Sequence, residues 1–483
     1  MMPRRATHAL VSGALVLFVS GCATFDVGDS VSFVNDEVAS FTAGDLSLAR
    51  TDADREARAM AAAEILGGPL DRDAAVRLAL VNSPAIQAML AARWAEGADA
   101  AQTGRIPNPI FAYERLATED GDEVEIERLF SFGLLDVLTL PWKQGIAKRR
   151  IERAQLDLAA DVVEQVTEVR QAWVEAVAAE QMLGYAEQVR ESASATAEMA
   201  RRMEAVGNFS RLARSRQQMF YADATTDLAA ARHEARATRE RLVRLLGLDD
   251  EQAARLTLPE QLPEIPDTPL QPDDVASSLN ERRLDVRLAE AELAAATRAQ
   301  GLERITTFTD IEAGYRSATV FGGGEGVDEL GSTRESADGY ELELRLPLFD
   351  WGGMQRDAMN ARSLAAANAY AATLRSVGST MRESYSAYRT GHDIARHYRD
   401  EVLPLVETIS EENVLQYNGM LIGVFELLAD SRDAIAAVVA AIDAQRQFWA
   451  AEAALQAAMT GRPTMMAAVG AVGGGGGGGG EDH

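Results

Sequence analysis

Two helical patterns of unusual length, each closed by a glycine turn, constrain most strongly what this chain can fold into. One runs from Trp142 to Val206, about 65 residues or roughly 100 Å at the helical rise. The other runs from Trp351 to Asn418, about 68 residues and again roughly 100 Å. The first ends in Glu204-Ala205-Val206-Gly207-Asn208-Phe209-Ser210-Arg211-Leu212. The second ends in Tyr417-Asn418-Gly419-Met420-Leu421-Ile422-Gly423, before Val424 to Asp430 restarts an apolar helix. Ile151, Leu158, Val162, Val166, Val169, Trp173 and Val177 recur mostly at three- and four-residue steps, as do Leu374, Val377, Met381, Tyr385 and Tyr388. That is a coiled-coil-like seam, although an ordinary helix bundle carries the same stripe. Length separates the two. The patterns at Phe209–Leu246 and Asp71–Thr103 are each about half as long. Two long helices flanked by stacked pairs of short ones make the wall of a tube better than a globule. Pro404 is expected to kink the second long helix.

The chain reads as one unit written twice. Leu70–Leu80 resembles Leu270–Leu279, Leu140–Gly145 resembles Phe349–Gly353, and the turn at Gly207 resembles the turn at Gly419. The offset drifts slowly from about 199 to about 212 residues, as a duplication with small insertions would give. The expected organisation is a signal peptide over 1–21 and an N-terminal linker over 22–69. A first repeat over 70–262, a second over 263–463 and a Gly-rich tail over 464–483 follow. The linker reads as mostly extended, with a short helix near Asp54–Leu66.

Each unit reads as helix, two strands, long helix, turn, helix. In the first unit the strands fall near Ile110–Leu116 and Glu125–Leu135. Tyr340, Leu342, Leu344 and Leu346 alternate with Glu341, Glu343 and Arg345; Phe130 and Phe132 alternate with Ser131 and Gly133; Ile311, Ala313 and Tyr315 oppose Glu312 and Arg316. One dry face and one charged face fit either a covered sheet or a lipid-facing barrel wall with a wet lumen. Four strands cannot close a barrel, and an open edge is not tolerated in lipid. A spanning reading therefore demands oligomerisation, and three copies would supply twelve strands.

Composition narrows the partners. The formal charge is −27 and aromatic residues make up 6%. This argues against nucleic acid or anionic headgroups as the main partner; a solvated acidic surface accounts for the charge as simply as a function does. The one cysteine, Cys22, allows no intramolecular disulfide and no thiolate cluster. Arg4 and Arg5 precede the apolar run Ala9–Ser20, which is too short to span and has the pattern of a secretory signal. Val19-Ser20-Gly21-Cys22 resembles a bacterial lipobox, which implies lipidation of Cys22 with palmitate among the acyl chains; an ordinary cleavage site beside a chance cysteine is the alternative.

The arrangement resembles the TolC-type outer-membrane efflux proteins over about Leu70–Pro463. The residues that carry the resemblance, together and in order, are Glu281–Arg287, Leu346–Asp350, Val402–Leu405, Tyr417-Asn418-Gly419 with Leu427-Leu428, and Arg244–Gly247. The resemblance implies a mainly α fold with a small β part. Long helical hairpins form an α-barrel, and four transmembrane strands per protomer build a trimeric twelve-stranded β-barrel. It implies the outer-membrane channel of a tripartite efflux system, lipid-anchored and extending into the periplasm. Its partners would be two further copies, a periplasmic adaptor and an inner-membrane pump. The turns become adaptor-docking tips, placing Gly207, Asn208, Phe209, Gly419, Met420, Leu421 and Ile422 there, with Phe425 beside them. Glu426 and Asp430, four apart on one helix face, and then Asp433, become candidate gate residues that threefold symmetry would turn into rings. A solvated acidic face is the simpler reading of those carboxylates, coiled-coil core that of Leu421, Ile422 and Phe425, and a plain helix cap that of the glycines.

No catalytic constellation is visible. His392 and His397 are five apart and do not stack on a helix as a metal pair would, and Gly473–Gly480 is a homopolymer with no strand before it. No cofactor, no resident metal and no enzyme activity are expected. The acidic balance and the methionines suit metal cations, and the form of the Tyr417–Leu428 segment resembles a branch of metal-resistance exporters. A periplasmic coiled-coil adaptor or scaffold is the alternative, but it calls for one hairpin flanked by β-domains where this chain shows two hairpins.

Overall fold

The computed structural model describes residues 25–117, 123–279, 283–306, 310–322, 333–345 and 348–463. Cys22, Leu346 and the Gly-rich tail lie outside them. The described chain divides into two compact units: residues 25–29, 93–156 and 287–373 form one, and residues 30–92, 157–286 and 374–463 the other.

The first unit is built on an antiparallel sheet of four strands in the order β1 (Ile110–Ala117), β2 (Glu123–Gly133), β3 (Asp310–Gly322) and β4 (Thr333–Arg345). Its register brings the alternating patterns together. Phe111 pairs with Phe130, Phe130 with Tyr315, and Tyr315 with Tyr340, so one aromatic row crosses all four strands. The Tyr315 and Tyr340 rings meet edge to face at 5.9 Å. Phe132, Ala313 and Leu342 form the next row.

The second unit is helical. It takes in α1 (Val27–Thr42) from Ser30 onward and then α2 (Asp52–Ile65), the latter opened by a capping box between Thr51 and Asp54. The span read as mostly extended therefore contains a sixteen-residue helix. Its apolar residues Val34, Val38 and Phe41 are buried, and this tertiary burial makes a helix of a stretch whose own periodicity is weak. The expected opening helix Asp71–Thr103 is two helices, α3 (Arg72–Asn82) and α4 (Pro84–Gln102), meeting at 56° around Ser83. Pro84 holds the residue before it in an extended conformation, ψ 120° at Ser83, and so breaks the pattern. No single helix among the described residues is long and apolar enough to cross a membrane.

The long helix α5 (Leu134–Ala205) has 72 residues, roughly 108 Å. It starts directly after β2 and runs through Pro141, eight residues earlier than Trp142; Leu134 and Leu135, read as strand, are helical. Pro141, the eighth residue, leaves the Val137 carbonyl without an i−4 N–H partner, and the Thr139 hydroxyl donates to Leu135 O at 2.7 Å nearby. Its return partner α6 begins at Arg211, after the Ser210 cap, and ends at Leu246. After the short α7 (Asp250–Arg255) come α8 (Pro272–Leu279) and α9 (Leu284–Thr306). Then α10 (Gly353–His397) continues through a π-helical turn, Tyr398–Val402, into α11 (Leu403–Asn418), and α12 (Val424–Thr460) returns. The expected disruption at Pro404 takes the form of this π turn. Proline has no N–H for the carbonyl of Asp400, and the ladder widens so that Leu403 N–H reaches Tyr398 O.

Buried side chains bind the second unit. Trp173, fully buried on α5, donates from Nε1 to Leu70 O at 2.8 Å. Arg170 donates to Phe41 O at 2.6 Å and to Gln456 Oε1 at 2.9 Å, tying α1, α5 and α12 together. Beside it Arg72 pairs with Glu452 at 2.8 Å, a carboxyl whose pKa burial pushes up. The connector Leu256–Leu270 is strapped down by side chains of α10 and α12. Trp449 donates to Pro263 O at 3.0 Å, His392 Nε2 lies 2.8 Å from Pro266 O, and Tyr385 donates to Leu270 O at 3.2 Å.

Two glycines close α6 and α12 in corresponding places. Gly247 (φ 65°) lies against Ser83–Pro84, where α3 meets α4, and Gly461 (φ 98°) lies against Leu284–Asp285, where α9 starts. A Cβ at 461 would stand 2.7 Å from Leu284 N, whereas one at Gly207 (φ 80°) would meet open space. Gly207→Ala should cost about 1 kcal/mol, the left-handed backbone penalty alone. Gly461→Ala should cost clearly more because backbone must also move, and thermal unfolding of the two variants side by side checks the order.

Candidate functional site

The two hairpin turns are built on the same hydrogen-bond pattern, one residue out of the register that the glycines suggest. In the first, Asn208 N donates to Met203 O at 2.9 Å across a left-handed Gly207, a Schellman closure. Phe209 turns inward on Ala200, Met203 and Ala213, and the Ser210 hydroxyl caps α6 by accepting from Ala213 N at 3.1 Å. In the second, Leu421 N donates to Gln416 O at 2.9 Å, and the left-handed residue it crosses is Met420 (φ 57°). Gly419 has φ −77° and needs no glycine freedom. Gly207 thus corresponds to Met420, Phe209 to Ile422 and the Ser210 cap to Gly423. A motif match on glycine identity finds the turn but misplaces its apex.

That substitution leaves the second turn strained and apolar. Met420 is 93% exposed and Leu421 78%, while Ile422 is half-buried. A left-handed methionine costs about 1 kcal/mol, and strain of this kind gathers at functional positions. The side chain of Phe425 lies outside the described ones.

The three candidate gate carboxylates separate. Asp430 accepts from Asn413 Nδ2 at 2.5 Å, so it joins α12 to α11 inside the hairpin and is not presented outward. Glu426 and Asp433 are exposed. Sequence spacing puts Glu426 and Asp430 on one helix face, but only the position of α11 shows that Asp430 is engaged.

The first turn carries a different chemistry that motif matching passed over. Arg201 and Arg202 both bind Glu198, with nitrogen–oxygen distances of 2.7 and 2.8 Å, and Arg214 pairs with Glu204 at 2.9 Å. Hydrogen bonding from Arg201 and then Arg202 holds the Glu198 carboxyl down at about 2. A charge count over residues 198–216 would have signalled this basic end.

The sheet offers a second candidate surface. Glu114, Glu125, Glu127, Glu312, Glu341 and Glu343 share one face, around Arg316, which pairs with Glu127 at 3.4 Å and Glu341 at 3.0 Å. The other face carries the aromatic row, largely exposed, with Phe111 at 64% and Tyr340 at 93%. Leu348, Phe349 and Trp351 after β4 are exposed as well. Bare aromatic surface on this scale calls for lipid or protein to cover it. Replacing Met420 by Gly should stabilise the second turn by up to about 1 kcal/mol, read from denaturant unfolding, since glycine adopts this backbone freely.

Neither a comparison with protein-family models nor one with curated proteins finds a match. Solved structures do match. A membrane protein from Pseudomonas aeruginosa is 19% identical, with TM-score 0.66, covering 82% of this chain and 93% of that one. The Campylobacter jejuni CmeC outer membrane channel is 13% identical, with TM-score 0.66 and coverage of 86% and 89%. The outer membrane protein VceC from Vibrio cholerae is 14% identical, with TM-score 0.64 and coverage of 83% and 96%. The chain has the fold of these outer-membrane proteins along nearly their whole length, a mainly α chain with long helical hairpins and a four-stranded sheet.

Proposed function

We propose that the chain is the outer-membrane channel of a tripartite efflux system, a passive duct working with a periplasmic adaptor and an inner-membrane pump. The observation that carries this reading is the four-stranded sheet, with an aromatic face, an acidic face and two unclosed edges. In lipid those edges must be paired, so three copies close a twelve-stranded barrel, acidic face to the lumen and aromatic face to the bilayer. The long hairpins extend into the periplasm, and their turns meet the adaptor. The shared fold does not favour the adaptor alternative. Glu426 and Asp433 remain the gate candidates, and exposed Met420 and Leu421 the foremost docking residues. The reading of two repeats, 70–262 and 263–463, draws support from the matching positions of Gly247 and Gly461. Cys22 is the lipid anchor.

The purified protein should conduct ions across a planar bilayer and favour cations, because the lumen face is acidic. Glu426→Ala should lower conductance or cation preference; protein that never enters the outer-membrane fraction and forms no pore overturns the channel reading. Cys22→Ser should abolish incorporation of labelled palmitate while leaving the barrel able to assemble, checked by mass spectrometry and heat-modified electrophoresis.

A further inference from the structure

The turn ends of the two hairpins have opposite charge. Residues 201–216 hold five arginines against one acid, Glu204. Between Arg399 and Arg432 there are seven acids and no lysine, arginine or histidine. Within the chain the hairpins adjoin through α6 and α12: Arg432 lies 4.4 Å over the Phe220 ring and its Nη2 reaches Arg216 O at 3.5 Å. This leaves α5 and α11 as the outer helices.

Both outer helices present unfinished stripes. No residue of α11 is buried. Leu405 (60% exposed), Ile409 (52%), Glu412 and Gln416 follow steps of four, three and four residues and so share one face. On α5 the exposed residues Ala195, Met199 and Arg202 repeat the first two of those steps, and exposed Val206 follows in the turn just past the helix end. Both helices run toward their turns, so in a ring of copies they lie parallel. Slid by three residues, about 4.5 Å, they register at three helical positions: Ala195 with Leu405, Met199 with Ile409 and Arg202 with Glu412. The charges also match. Arg201 and Arg202 share the single carboxylate of Glu198, and Glu412 forms no ion pair among the described residues.

We infer that α11 of one copy packs against α5 of the next, with Ile409 beside Met199 and Glu412 opposite Arg202. The contact is head-to-tail, the kind that closes a ring. It rests on the channel reading, which requires several copies, and it adds which faces meet. An exposed ion pair contributes little by itself, but it penalises wrong registers by placing like charges together.

The test uses the full chain purified from membranes in detergent. Arg202→Cys combined with Glu412→Cys should give, on mild oxidation, bands with the mass of two and three chains, and either cysteine alone should not. Glu412→Arg or Arg202→Glu should each lower the trimer fraction several-fold in light scattering, and the two reversals together should restore it. A trimer that gives no such cross-link, or that the paired reversal fails to restore, overturns this interface and leaves the channel reading standing; that includes the case where a foreign protein covers α11. A chain that stays monomeric overturns both.

Discussion

Backbone groups along the outer sides of β1 and β4 have no strand partner among the described residues, and the rest of the structure answers to that constraint. A sheet with an aromatic face cannot sit in lipid with open edges, and in water it would expose Phe111, Phe130, Tyr315 and Tyr340 together. Closure through further copies meets both demands. In the proposed channel it would also account for the exposed faces of the sheet: the aromatic face would meet acyl chains, and the other, lined by glutamates, would meet water.

The helical unit solves a different problem. Helices this long gain little from propensity and need continuous side-chain burial. The residues around Trp173, Arg170 and Phe448 supply it in the upper part, with α1 wrapped over Arg170 and the Leu256–Leu270 connector strapped across α10 and α12. Toward the second turn the burial runs out, and α11 has none. The helical unit is most completely packed around this core and most bare on α11, toward the second turn, where the proposed neighbours and partners would bind. Strain at Met420 and opposite charge at the two turns belong to this bare end.

The sequence made much of this legible because long apolar periodicities and strict alternation survive in any context. The seams on α5 and α10, the dry and wet faces of β2, β3 and β4, and both turns stood out residue by residue. What it misplaced had a tertiary cause. The helix Val27–Thr42 has weak periodicity and is held by what it packs on. The break at Ser83 is a proline effect inside a pattern that otherwise reads as continuous. The start of α5 at Leu134 passes through Pro141, which a reading by local signals takes as a boundary.

At the candidate site the division is finer. Sequence alone determined that there are two hairpin turns, that acidic residues follow the second and that one face of β2, β3 and β4 is apolar, because these depend only on residue order and helical or pleated period. Only the tertiary structure decided which residue sits at each apex, since the hydrogen-bond closure, and not glycine identity, puts Met420 in the place of Gly207. It alone decided which acid is presented outward, since Asn413, seventeen residues away along the chain, takes Asp430 for itself. Both answers depend on atoms brought together across a turn, and no one-dimensional period carries that information.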